Sequence, residues 1–186
     1  MITYGFNAKK SAQAAAILLK LHAGEMDKYV FIKMLYLADR EALARWGDPI
    51  TGDSAVSMEH GPVLSTVYDL TKGAHPNLRE EWEPFISDAD EDTHQISIKA
   101  DPGDDELSIA EIKILEHIHA KFKDFSWKQM KDFCHQFEEY DESVGKSSKP
   151  IQTEKILKAV GKSDEEIEAT EQSQKEFKMM QLLFGS

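Results

Sequence analysis

The sequence predicts a mainly α-helical fold with one small β-hairpin (α+β), built as a single compact helical domain. Three observations predict it. Apolar side chains recur at helical spacing in successive stretches, most of them opened by a residue suited to capping a helix. Two short segments of alternating polarity flank an acidic run, the pattern of two strands and a turn. The length of 186 residues is enough to bury one core without disulfides or metals.

The first helix is predicted over residues 7–23. Asn7 is its cap, Ala14, Ile17, Leu18 and Leu21 form its stripe, and Gly24 ends it, with Lys9 and Lys20 toward solvent. It is expected to pack on the next helix as a helical hairpin. That next helix opens at Asp27 and carries Val30, Phe31, Met34, Leu35, Leu37, Ala38 and Ala42. At about 100° per residue these cover close to half the circumference, so the helix is mostly buried. Gly47 ends it, and Pro49 and Gly52 mark a turn. Glu41 projects into the apolar stripe. Either the stripe has run out by the fourth turn and Glu41 is exposed, or Glu41 or Asp39 clamps backbone donors of the 48–53 turn. A short extended piece over 54–59 follows. Gly61-Pro62 then reads as the start of a helix with proline at its first position, carrying Val63, Val67 and Leu70 and stopping at Gly73.

The phrases KMLYLADREAL, GDPITGD and MEHGPVLSTVYDL, in that order between residues 33 and 70, resemble the signature of the Panacea domain. This is the SocA-like antitoxin family of bacteria, phages and mobile elements. The likeness extends over residues of about 10 to 165 and is strongest at 28–73. It implies a Panacea-like antitoxin domain over 1–162; residues 163–186 are read from their own pattern as a separate C-terminal helix that either packs on the domain or docks a partner. The likeness also implies an antitoxin that neutralises a toxin encoded beside it, usually by direct protein contact. SocA-like members can instead deliver the toxin to a Clp-type protease. The family supplies no catalytic set, so the resemblance marks Tyr36, Asp39, Gly61, Pro62 and Tyr68 as framework.

Beyond residue 79 the residues themselves speak again. Residues 81–86 and 94–98 alternate and predict the hairpin, with Trp82, Ile96 and Ile98 on its inner face and Asp88, Asp90, Glu91 and Asp92 at its tip. These acids lack the glycine turn and final glutamate of a calcium loop. Ser108 with Glu111 and Ser126 with Gln129 are capping boxes. The helix after the first carries Ile109, Ile112, Leu115, Ile118 and Phe122, and the helix after the second carries Met130, Phe133, Cys134 and Phe137. A short helix is expected at 153–160. A last one opens at Ser163 with Glu166 and reaches Leu183. Its first half is polar, while Phe177, Met179, Met180, Leu182, Leu183 and Phe184 crowd its end. That many apolar groups cannot all face inward from one helix. The end either packs deeply or docks another chain.

Charge and chemistry narrow the function. The net charge is −12, concentrated in residues 80–106, where eleven acids meet one lysine. This balance argues against binding nucleic acid and permits a basic partner, with attraction weakened by salt. The lone Cys134 fits a reducing cytoplasm. No apolar run reaches the roughly 18–20 residues of a membrane span. His60, before Gly61-Pro62, reads as a polar loop residue with no partner at triad or dyad spacing, and as a general base only in an enzyme that uses it with Asp39 or Glu41. His117 and His119 point to different sides of a helix, and His135 with Glu138 lacks a third ligand, so no metal or cofactor is expected. Gly145-Lys146-Ser147 lacks the glycine and strand of a phosphate loop. A binding module is the reading. Its partner-binding residues are Phe177, Met180, Leu183 and Phe184 with Asp90, Glu91 and Asp92. A protease adaptor, an enzyme that reverses a toxin's modification, and homodimerisation remain open.

Overall fold

The computed structural model describes residues 1–184. Its centre is α2 (Lys28–Trp46), preceded by α1 (Ala8–Leu21) and the short β1 (Glu25–Asp27). Asp27 caps α2 by accepting from the Tyr29 and Val30 amides at 2.8 and 3.1 Å, and Gly47 ends it in a left-handed conformation with φ +77°. Every side chain from Val30 to Asp39 is buried. The helix is therefore enclosed on all sides, beyond the half circumference its apolar pattern marks, because polar Lys33, Tyr36 and Asp39 are also drawn inside.

Asn7 caps α1 as predicted, its side chain accepting from Lys10 N at 2.9 Å. Its stripe differs. Leu21 is exposed, while Ser11, Gln13 and a row of alanines are buried. The helical hairpin with α2 is not the arrangement found, since α1 packs chiefly on α5 (Ile109–Phe122). Two left-handed residues, Ala23 and Gly24, turn the chain out of α1 into β1 rather than directly back along α1.

After α2 come β2 (Ala55–Met58), β3 (Gly61–Leu64) and α3 (Ser65–Leu70). Gly61-Pro62 thus belongs to a strand, and the helix starts three residues after Pro62. Proline is tolerated there because β3 lies at the edge of its three-stranded sheet, ordered β3-β2-β5. The start of α3 is satisfied from a distance: Asp53 accepts from Thr66 N at 3.2 Å and Val67 N at 2.9 Å. No local spacing signals that cap.

The predicted 81–98 hairpin is also rearranged. Arg79–Trp82 forms the helical turn α4, and β4 (Gln95–Ser97) pairs with β1, Met26 opposite Ile96. A single bridge between Ile86 and Ile98 is what remains of the expected pairing. Alternation over six residues does not separate a strand from one helical turn, and β1 is too short to show a period. Trp82 and Ile96 are buried as expected, and Ile98 packs partly buried against the same core.

Both capping boxes are present, at Ser108/Glu111 for α5 and Ser126/Gln129 for α6 (Trp127–Cys134). Ile109, placed on the apolar face of α5 by spacing, is 74% exposed. β5 (Lys149–Pro150) joins β2, and α7 (Thr153–Ala159) precedes α8 (Asp164–Phe184). Ser163 and Glu166 exchange reciprocal bonds at the start of α8. The architecture is mainly α with a little β, as the sequence predicts.

Candidate functional site

The residues marked as framework hold α2 to the chain around it. Asp39 accepts from Ile50 N and Thr51 N at 3.0 Å each, and the Thr51 hydroxyl donates to its other oxygen. This is the clamp on the 48–53 turn, made by Asp39, while Glu41 pairs with Arg45 on the same helix. Burial pushes the Asp39 carboxyl up to about 7, opposed by the three donors. Tyr36 donates to Glu139 at 2.8 Å, and Arg40 closes a buried ion pair with the same carboxylate at 2.5 Å. The Pro62 carbonyl accepts from Lys33 Nζ at 2.7 Å. Gly61 sits with φ +98°, and a Cβ there would lie 3.0 Å from that nitrogen. Tyr68 is half-buried, with the Lys72 ammonium 4.0 Å above its ring.

The side chains weighed for catalysis are engaged elsewhere or stand apart. His60 is exposed in the β2–β3 turn, while Asp39 is committed to Ile50 and Thr51 and Glu41 to Arg45, so the structure does not bring the supposed base and its supports together. Cys134 is buried, and burial pushes its thiol up to about 11, which makes it a poor nucleophile. His119 is buried against His22, whereas His117 is exposed, as their spacing predicts. Among the described residues, no cluster of three metal-ligating side chains occurs. Among them, too, no helix is long and apolar enough to cross a membrane.

The nominated contact residues lie on two separate surfaces. Phe177, Met180, Leu183 and Phe184 stand on α8, at 54, 59, 70 and 81% exposure. Phe177, Met180 and Phe184 follow one another at i, i+3 and i+7, which places them on one helix face. Met179 and Leu182 are exposed as well, so this end does not pack into the domain. The helix is tethered by polar contacts: the Met1 amine meets Glu171 at 2.5 Å, and Lys178 bonds Thr3. A cavity of about 450 Å³ opens between α8 and the 48–52 turn, with Tyr4, Lys10, Asp48 and Phe177 on its walls.

Asp90, Glu91 and Asp92 lie elsewhere, in the turn before β4. Asp90 accepts from Asp92 N, Thr93 N and the Thr93 hydroxyl, which holds its carboxyl below the usual range and gives it a turn-forming role. Glu91 and Asp92 are fully on the surface. Among the described residues, no hydrogen bond or ion pair joins this turn to α8.

Sequence reasoning missed Lys33, Arg40, Glu139 and Trp127. A lysine inside the apolar run of α2 was a visible signal for Lys33. The Arg40–Glu139 pair spans 99 positions and leaves no local trace.

A family model described as "Antitoxin SocA-like, Panacea domain" matches residues 31–141. The match runs from α2 to just past Glu139, so it contains both halves of the Arg40–Glu139 pair and the acidic turn, and it ends before α7 and α8. No curated protein and no solved structure matches the chain.

Proposed function

The chain belongs to the SocA-like antitoxin, Panacea-domain family, and from that membership we propose that it neutralises a cognate toxin by direct, stoichiometric protein binding. The observation that supports binding is the end of α8, where a run of large apolar side chains is more than half exposed to solvent. Apolar residues in such a patch stabilise a complex once a partner removes them from water, and methionines adapt to its shape. In this reading residues 1–162 form the antitoxin domain and the C-terminal segment docks the partner through α8, the last two residues of the expected 163–186 helix lying outside the described residues. The acidic segment 80–106 adds long-range attraction to a basic toxin.

Co-expression with the product of the adjacent open reading frame tests the reading, followed by affinity purification and sizing. Restored growth with a stable complex of fixed stoichiometry supports masking. Rescue that vanishes in cells lacking a Clp-type protease replaces masking with delivery. Rescue at far below stoichiometric amounts replaces it with an enzyme.

A further inference from the structure

Between α2, the β2–β3 turn and the start of α6 lie two adjoining cavities of about 230 and 330 Å³ that share Tyr29 and His60. The larger alone reaches the lower end of the range for small-ligand sites, roughly 300–1,000 Å³. Its walls are aromatic: Tyr29, His60, His94 and Trp127. The His60 and Trp127 rings lie 6.0 Å apart at 52°, Tyr29 and Trp127 6.2 Å apart at 49°, and Tyr29 and His94 5.5 Å apart at 73°. None is stacked face to face on another, so ring faces remain for a flat guest.

Lys33, a buried cation, is among the residues that line the smaller cavity. Lys33 is 3% exposed, and its Nζ reaches the Pro62 carbonyl, which occupies one of three N–H donors. The other inward cation of α2, Arg40, has Glu139 as its counter-charge. Among the described residues, Lys33 forms no ion pair. Burial pulls its amine down to about 7, the response of a cation that lacks an anion. Lys146 and Ser147 stand at the rim of the same cavity. Two carboxylates line these cavities. Asp27 is engaged by the first amides of α2, and Glu59 is exposed. Against them stand Lys33 and Lys146, so with both amines protonated the site balances to neutral on a chain of net charge −12.

We propose that this groove binds a mononucleotide, its base stacked against Trp127, His60 and Tyr29 and its phosphate directed to Lys33 and Lys146. A base offers a π-face to rings that do not stack on one another, and stacking of this kind is tolerant of which base is present. The phosphate supplies the counter-charge for Lys33 and keeps that amine protonated. The site uses none of the residues of α8.

Isothermal titration of the full chain with AMP tests the site, with adenosine and inorganic phosphate as the two half-ligands. Saturable one-to-one binding of AMP is expected, at least tenfold tighter than either half-ligand. Trp127→Ala, at an exposed position, is expected to weaken AMP at least tenfold with unchanged thermal unfolding. Lys33→Met is expected to bring AMP down to the affinity of adenosine. No saturable AMP binding at millimolar concentration overturns the proposal, and so does unchanged affinity in Trp127→Ala. Equal affinity for AMP and adenosine in the wild-type chain overturns the role of Lys33, even if Lys33→Met does not fold.

Discussion

Asp39 on α2 and Thr51 in the turn beyond it are joined twice, by the Thr51 amide to one carboxylate oxygen at 3.0 Å and by the Thr51 hydroxyl to the other. With the Ile50 amide, this fixes the chain just after α2 and so sets where β2 begins.

Asp39→Ala leaves two buried amides without acceptors and should destabilise the fold by about 3 kcal/mol. Asp39→Asn keeps an oxygen for those amides and should cost less. The wild type and Asp39→Asn differ in pH behaviour. The ordinary carboxyl value is 3.8 and the folded value about 7, so between them the unfolded chain has released a proton that the folded chain retains. Stability from this group therefore falls as pH rises from about 4 to 7. Urea unfolding across that window should show the fall in the wild type and its loss in Asp39→Asn. An identical slope in both assigns the titration to another group.

Arg40 and Glu139 form a pair in which the carboxylate is fully buried. Arg40→Met strands that charge and should cost about 3–5 kcal/mol. Adding Glu139→Gln removes the stranded charge, so the double variant should be more stable than Arg40→Met alone. Additive losses in the urea midpoints would show that the pair is not coupled.

At Gly61, a methyl group meets Lys33 Nζ at 3.0 Å and the His135 ring at 3.3 Å, on a backbone with φ +98°. Gly61→Ala should destabilise by about 1–3 kcal/mol. A thermal midpoint equal to wild type would mean that β3 shifts without strain.

On α8, Met180→Asp and Leu183→Asp touch exposed positions, and each should change stability by no more than about 0.5 kcal/mol. If the apolar face docks the toxin, each weakens the complex at least tenfold, an effect of roughly 1.4 kcal/mol. Deletion of residues 177–186 should abolish it with the domain still folded. Full toxin binding by that truncated chain would remove α8 from the interface.

Glu91→Gln with Asp92→Asn should slow association with a basic toxin and flatten its dependence on salt, leaving dissociation nearly unchanged. Stopped-flow mixing at two ionic strengths measures this. Asp90→Asn belongs in a separate experiment, because Asp90 also holds the Thr93 turn.

By itself the sequence determined the class of fold and the longer helices with their caps, but not α4 or the start of α3. Asn7, Asp27, Ser108, Ser126 and Ser163 act on donors two or three residues away, so their chemistry is written in local spacing. The motif phrases that carry the family also lie in one short stretch. Only the tertiary structure decided which strands pair and which polar groups go inside. β1 finds β4 some seventy residues away, Asp53 caps a helix thirteen residues on, and Lys33 and Glu139 are buried by neighbours remote in sequence. Such pairings depend on which surfaces meet when α2 is enclosed from every side. A carboxylate or lysine inside an apolar run acquires its role from what packs over it.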